Sequence, residues 1–166
     1  MKKIVATFIA LFIVTAAYMQ TTIPKAQTLF IYNFSRLIEW PVAYRTGPFV
    51  IGVLGNSEVA VELEAYTKGK KVGVQDIEII RYKTPQEIAN CHILFVPFAR
   101  TKQVPEIVAA LNGKCTLIIT EKSGALDEGA TINFVMIEDK MKFELKAENA
   151  NRYGIKLSSK LVEMSL

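Results

Sequence analysis

Phe49-Val50-Ile51-Gly52-Val53-Leu54 runs directly into Gly55-Asn56-Ser57 and then into Glu58 to Thr67. The first six residues are apolar without alternation and of strand length. That is the pattern of a strand covered on both faces. Gly-Asn-Ser turns the chain, and Asn56 or Ser57 can cap a helix that starts at Glu58. A buried strand that turns at once into a helix opens a βα unit, which argues for a layered α/β fold.

The same rhythm continues downstream. Ile77 to Tyr82 reads as a second strand. Thr84, Pro85 and Glu87 have the spacing of a capping box with proline at the first helical position, so a short helix is expected there. His92 to Val96 is a third strand, and Lys102 to Leu111 is a helix closed by Asn112-Gly113. Thr116 to Thr120 is a fourth strand. The pattern then changes. Thr131 to Ile137 and Met141 to Leu145, joined by Glu138-Asp139-Lys140, read as a hairpin. Helices follow at Ala147 to Tyr153 and Ser158 to Met164. Upstream, Lys25 to Trp40 shows apolar residues at three- and four-residue spacing, and Pro41 ends that helix. The expected fold is α/β: a three-layer, mostly parallel sheet with a C-terminal antiparallel hairpin and helices on both faces.

The chain begins with Lys2-Lys3 and a charge-free run from Ile4 to Ala17. This matches a signal peptide over residues 1–19, since the run is short of the roughly 20 residues of a spanning helix. An uncleaved anchor is the other reading. Residues 20–166 then form one domain, in keeping with a common domain size of about 100–150 residues, and the expected location is the periplasm. Without Lys2 and Lys3, 18 basic residues face 16 acidic ones. They are scattered, so no phosphate track for nucleic acid is read.

Several residues are candidates for chemistry. His92, the single histidine, lies at the start of a strand, whereas open parallel sheets bind ligands beyond the carboxyl ends. It is read as structural. No elbow, metal spacing or nucleophile with a base is legible, so no catalysis, metal or cofactor is expected. Cys91 and Cys115 each stand one residue before an apolar strand. Two readings stay open for them, a disulfide between neighbouring strands or two buried thiols. Loops at the carboxyl edge carry Asn56, Ser57, Arg100, Lys122 and Ser123. They would meet a small polar ligand, such as a nucleotide or another anion, or they are solvated loop residues. Phe30, Tyr32 and Phe34 place apolar groups around most of the first helix. Either that helix is buried on two sides, or part of it, with Trp40, meets a second subunit or a partner.

Some segments share an order and spacing with a known group. They are Lys25-Ala26, Leu29-Phe30-Ile31-Tyr32-Asn33-Phe34, Glu39-Trp40-Pro41, Phe49 to Gly55, Cys91 to Val96, Gly129 to Phe134, Lys142 to Leu145 and Leu157 to Leu161. In this order they resemble the YfiR-like (HmsC-like) family of periplasmic proteins, over about Lys25 to Met164. Ala130 stands where the family has a second glycine. The resemblance implies a non-catalytic regulator that represses a membrane-bound diguanylate cyclase from the periplasmic side, restraining cyclic-di-GMP output and biofilm formation. It also implies sequestration by an outer-membrane lipoprotein, and self-association, with a homodimer as one form. A module that binds small ligands through the carboxyl-edge loops is the alternative.

Overall fold

A computed structural model describes residues 23–166. The expected leader lies outside the described residues. The first helix, α1, covers residues 23–36. The other elements are β1 (Ile38–Glu39), β2 (Phe49–Leu54), α2 (Glu58–Thr67), β3 (Lys71–Val72), β4 (Gln75–Tyr82), β5 (Ile93–Val96), α3 (Val104–Ala110), β6 (Leu117–Thr120), β7 (Ile132–Ile137), β8 (Lys140–Leu145), α4 (Ala147–Arg152), β9 (Lys156–Leu157) and α5 (Ser159–Glu163).

Seven strands form one sheet in the order β3-β4-β2-β5-β6-β7-β8. The five inner strands run parallel, and antiparallel strands close both ends. All six residues of β2 are buried, as are all four of β5 and of β6. This explains their unbroken apolar sequences. The strand order reverses between β2 and β5. Right-handed crossovers therefore place α2 and α3 on opposite faces, which makes three layers. Helix α1 joins α2 on its face. Phe34 of α1 lies 4.8 Å from Phe143 and 6.1 Å from Phe134, ring to ring, and Tyr32 meets Tyr66 of α2 at 5.5 Å.

Local signals explain most element ends. Ser57 caps α2, its side-chain oxygen accepting the Val59 N–H at 3.2 Å. Ser158 does the same for α5 through Leu161 N–H. The β7–β8 turn is two residues long, with Glu138 at φ 49° and Asp139 at φ 57°. Both positive angles match the type I′ turn that suits strand twist.

Some expectations need correction. The first helix stops at residue 36 rather than Trp40, because Ile38–Glu39 is extended and pairs with Lys156–Leu157 in a separate two-stranded sheet. Thr84 starts only a 3-10 turn, Pro85–Glu87, and its side chain caps nothing; the Glu87 carboxylate accepts Lys83 N–H instead. The helix expected from Lys102 is 3-10 over Phe98–Gln103 and α from Val104. Ala130 is fully buried and carries no positive φ; only Gly129 does, at 113°. One glycine therefore serves that turn.

Gly52 is required for close packing rather than for its dihedrals. A Cβ there would sit 2.7 Å from Cε2 of Tyr82 and 3.1 Å from Cδ1 of Leu94. Both neighbours are buried, so neither can swing into solvent. Gly52→Ala should cost about 1–3 kcal/mol through overpacking. At roughly 2–4 °C per kcal/mol for a chain of this size, thermal unfolding should shift down by several degrees. An unchanged midpoint would show that the Tyr82 ring has room to move.

Candidate functional site

The reversal between β2 and β5 is where an open α/β sheet usually binds a ligand, outside the carboxyl ends of the strands. Here the Arg100 side chain borders that crevice. Gly55 turns at φ 75°, and a Cβ on it would lie 2.9 Å from Nε of Arg100. The Arg100 arm thus lies over the turn. Ser57 spends its oxygen on the α2 cap. Asn56 is exposed, and Lys122 stands 4.0 Å from Glu128. Ser123 lies at the rim of a different groove. The five residues expected to meet a ligand therefore share an edge but do not converge on one cavity.

That other groove has a volume of about 510 Å³ and sits between the start of α1, the loop after β5 and the β7–β8 hairpin. Ile23, Phe134 and Met141 line it, together with Phe98 and Met136. Phe98 is 67 % exposed and Met136 51 %, and Ile137 beside it is also exposed. Glu121 holds the rim in shape. One carboxylate oxygen accepts Phe98 N–H at 2.6 Å, and the other accepts Gln27 Nε2 at 2.5 Å. Large apolar side chains thus stand out at fixed positions, and the thioethers can adapt to a partner's contours. The sequence reading passed over Phe98, Met136 and Ile137. Their signal was present: Met136-Ile137 breaks the polar–apolar alternation just before the hairpin tip.

The opposite edge holds His92. Its ring stacks on Phe49 at 4.2 Å and meets Trp40 and Tyr44 edge-on. Nδ1 accepts Val50 N–H at 3.1 Å, and Nε2 donates to the Tyr44 carbonyl at 2.6 Å. Both nitrogens are satisfied only in the neutral ring, with the proton on Nε2. Burial pushes its pKa below the ordinary value. The histidine fastens the segment between β1 and β2 to the sheet.

A cavity of about 580 Å³ adjoins this cluster, lined by Trp40, Arg36, Arg45 and the β3–β4 turn. Arg45 is engaged there, donating to the Trp40 carbonyl at 2.7 Å and pairing with Glu39 at 3.1 Å. The Trp40 indole N–H is buried and has no partner among the described residues.

Cys91 and Cys115 each stand two residues before the paired positions Ile93 and Leu117, so they are neighbours in register. Both are free and buried. Burial pushes Cys91 up to about 12 and Cys115 up to about 11. Neither is an activated nucleophile.

The interface expectation for α1 also changes. Phe34 is fully buried and Trp40 is 5 % exposed, so neither side chain is free to meet a partner. Phe30 is half-buried against Phe34, Phe134 and Phe143. Tyr32 is half-buried beside Tyr66, with Lys70 Nζ 5.1 Å from its ring centre. The helix is buried on two sides within its own domain.

Among the described residues, no cluster of three His, Cys, Asp or Glu side chains could hold a metal, and no helix is long and apolar enough to cross a membrane. The architecture is that of a doubly wound α/β domain. The chain belongs to the YfiR/HmsC-like family, whose model matches residues 24–165. No curated protein matches the sequence.

Two outcomes test this geometry. The unfolded histidine titrates near ~6.5, and the folded one below that. As pH falls through ~6.5, the unfolded chain takes up a proton that the folded chain refuses. Stability should therefore decline from there until the folded pKa is passed. Denaturant midpoints for His92→Gln should decline less between about pH 7 and pH 5 than those of the parent; parallel curves would contradict the assignment. In the reduced protein, an aromatic disulfide reagent should react with neither cysteine at pH 8 until denaturant is added. Rapid labelling of the folded protein would show that burial does not protect them.

Proposed function

We propose that this protein is a periplasmic regulator that restrains a membrane-bound diguanylate cyclase by binding its periplasmic domain. The contact surface in this reading is the groove at the hairpin end, between Phe98 and Met136. The observation that carries it is the exposure of these two side chains around a groove that Glu121 keeps open. Family membership supports a regulatory role and a protein partner. The alternative of a small ligand held at the carboxyl edge has less support, because Ser57 spends its oxygen on the α2 cap and Lys122 stands beside Glu128. Sequestration by an outer-membrane lipoprotein would use an overlapping surface, so that the two partners exclude one another. Export would rest on the leader at residues 1–19.

Phe98→Asp tests the reading. An apolar anchor at the centre of an interface contributes about 2 kcal/mol or more, a loss of roughly 30-fold in affinity. Cells carrying the variant should show cyclic-di-GMP levels near those of a deletion strain. The purified variant should melt within a few degrees of the parent, because Phe98 packs against little of its own domain. Wild-type repression by a stable Phe98→Asp protein would overturn the assignment of this surface.

A further inference from the structure

At one edge of the large sheet β8 is the terminal strand, and Leu166 N–H reaches the Phe143 carbonyl on its outer side at 3.1 Å. At the other edge, β3 covers only the first two residues of β4, with Val72 opposite Gln75 and Lys71 opposite Asp76. The phase of the β4 ladder follows from one bond, Gly55 N–H to the Tyr82 carbonyl at 2.7 Å. In a parallel pair alternate residues face the partner strand, so Glu78, Ile80 and Tyr82 bond toward β2. Ile77, Ile79 and Arg81 turn their N–H and C=O groups outward. The ladder to β3 ends with the Lys71–Asp76 bridge, which takes up the outward N–H of Ile77, so β3 does not reach Ile79 and Arg81.

Natural edges are usually blunted by proline, a bulge, inward charges or a short strand. Here β4 has eight residues and no proline, and its register with β2 is continuous from Ile77 to Tyr82. Ile77, Ile79 and Ile80 are half-buried. Above them Glu64 of α2 pairs with Arg81 at 2.9 Å. Val61, one turn back on that helix stripe, is 54 % exposed. An apolar step thus borders an open backbone ladder.

Charge decides which strand fits. In an antiparallel pair about a two-fold axis, facing side chains share one face of the sheet, so a residue meets another of the same parity. Asp76 and Glu78 are even-numbered, whereas Arg81 and Lys83 are odd-numbered. No register of this edge against a second copy therefore places acid opposite base. Asp76 is already paired with Lys71 at 2.8 Å, while Glu78 is exposed and has no ion-pair partner among the described residues.

We propose that the open edge of β4 is a docking site for an extended segment of another protein, which adds as a further strand. Main-chain hydrogen bonds to Ile79 and Arg81 hold it, apolar side chains at alternate positions lie beside Ile77 and Ile79, and a basic side chain faces Glu78. This surface is separate from the hairpin groove and does not rest on the cyclase reading.

The test uses two labelled ten-residue peptides, one alternating valine and lysine and one alternating valine and glutamate, with fluorescence anisotropy. The lysine peptide should bind the parent at least tenfold more tightly than the glutamate peptide. Ile79→Pro removes only an outward N–H and leaves the ladder to β2 intact. It should weaken the lysine peptide at least tenfold, while Ile79→Val should not. Glu78→Lys, at an exposed position, should reverse the preference and serves should the proline variant not fold. Equal binding to the parent and Ile79→Pro would overturn the proposal, as would no binding by the parent. A parent dimer that Ile79→Pro breaks would overturn it in favour of a second copy.

Discussion

The backbone of Phe49–Leu54 is cut off from water on every side, and the rest of the molecule is arranged around that fact. Its six residues are buried, with β4 along one flank and β5 along the other. A buried peptide group without a partner costs on the order of 1–3 kcal/mol, so the strand is viable only when both neighbours are in place. Where the β5 strand pairing has not yet begun, the chain finds substitutes. His92 N–H reaches the Val50 carbonyl at 2.9 Å, and the His92 ring accepts Val50 N–H. The lone histidine thus completes the ladder at its entry end. That role explains why it is neutral, buried and surrounded by rings rather than poised for chemistry.

The same constraint governs how much was legible in the sequence. Strand β2 and helix α2 could be read to the residue because burial on both faces leaves no polar alternation, and because Ser57 marks the helix start. The hairpin β7–β8 was legible for a related reason, a charged two-residue tip between apolar runs. The pairing of Ile38–Glu39 with Lys156–Leu157 was not. It joins two dipeptides more than a hundred residues apart, and no local signal encodes such a partner. The α1 pattern was ambiguous in kind. An all-round apolar helix has the same composition whether its second side meets α2 or another subunit, and only the Tyr32–Tyr66 contact and the burial of Phe34 decide.

The candidate site was less legible than the fold, and the reason is physical. Asn56, Ser57 and Arg100 were selected because polar residues at the carboxyl edge of a parallel sheet usually face a ligand. The rule concerns backbone topology, and the topology is indeed present. What it cannot supply is where the side chains go, with Arg100 lying across Gly55 and Ser57 turned to its own helix. Conversely, Phe98 and Met136 look like ordinary core residues by composition. Their exposure follows from where the hairpin ends relative to α1, which is a long-range property.

Apolar side chains stand exposed at the hairpin end, and part of β4 is unpaired at the other, which are features suited to macromolecular contact. A small-molecule site would instead need a concave, water-accessible mouth. An open edge carries a hazard, because an unpaired ladder invites association of any kind unless it is selective. On β4 the proposed selectivity comes from Glu78, an exposed carboxylate with no ion-pair partner among the described residues, which favours a basic side chain opposite it. At the hairpin end it comes from position, since Glu121 anchors both Gln27 of α1 and the Phe98 loop. The two ends are joined by five parallel strands, of which β2, β5 and β6 are wholly buried, so a strand added at one end and a domain bound at the other would bear on the same sheet. Two partners could then be held at once on one small domain, on surfaces that do not overlap.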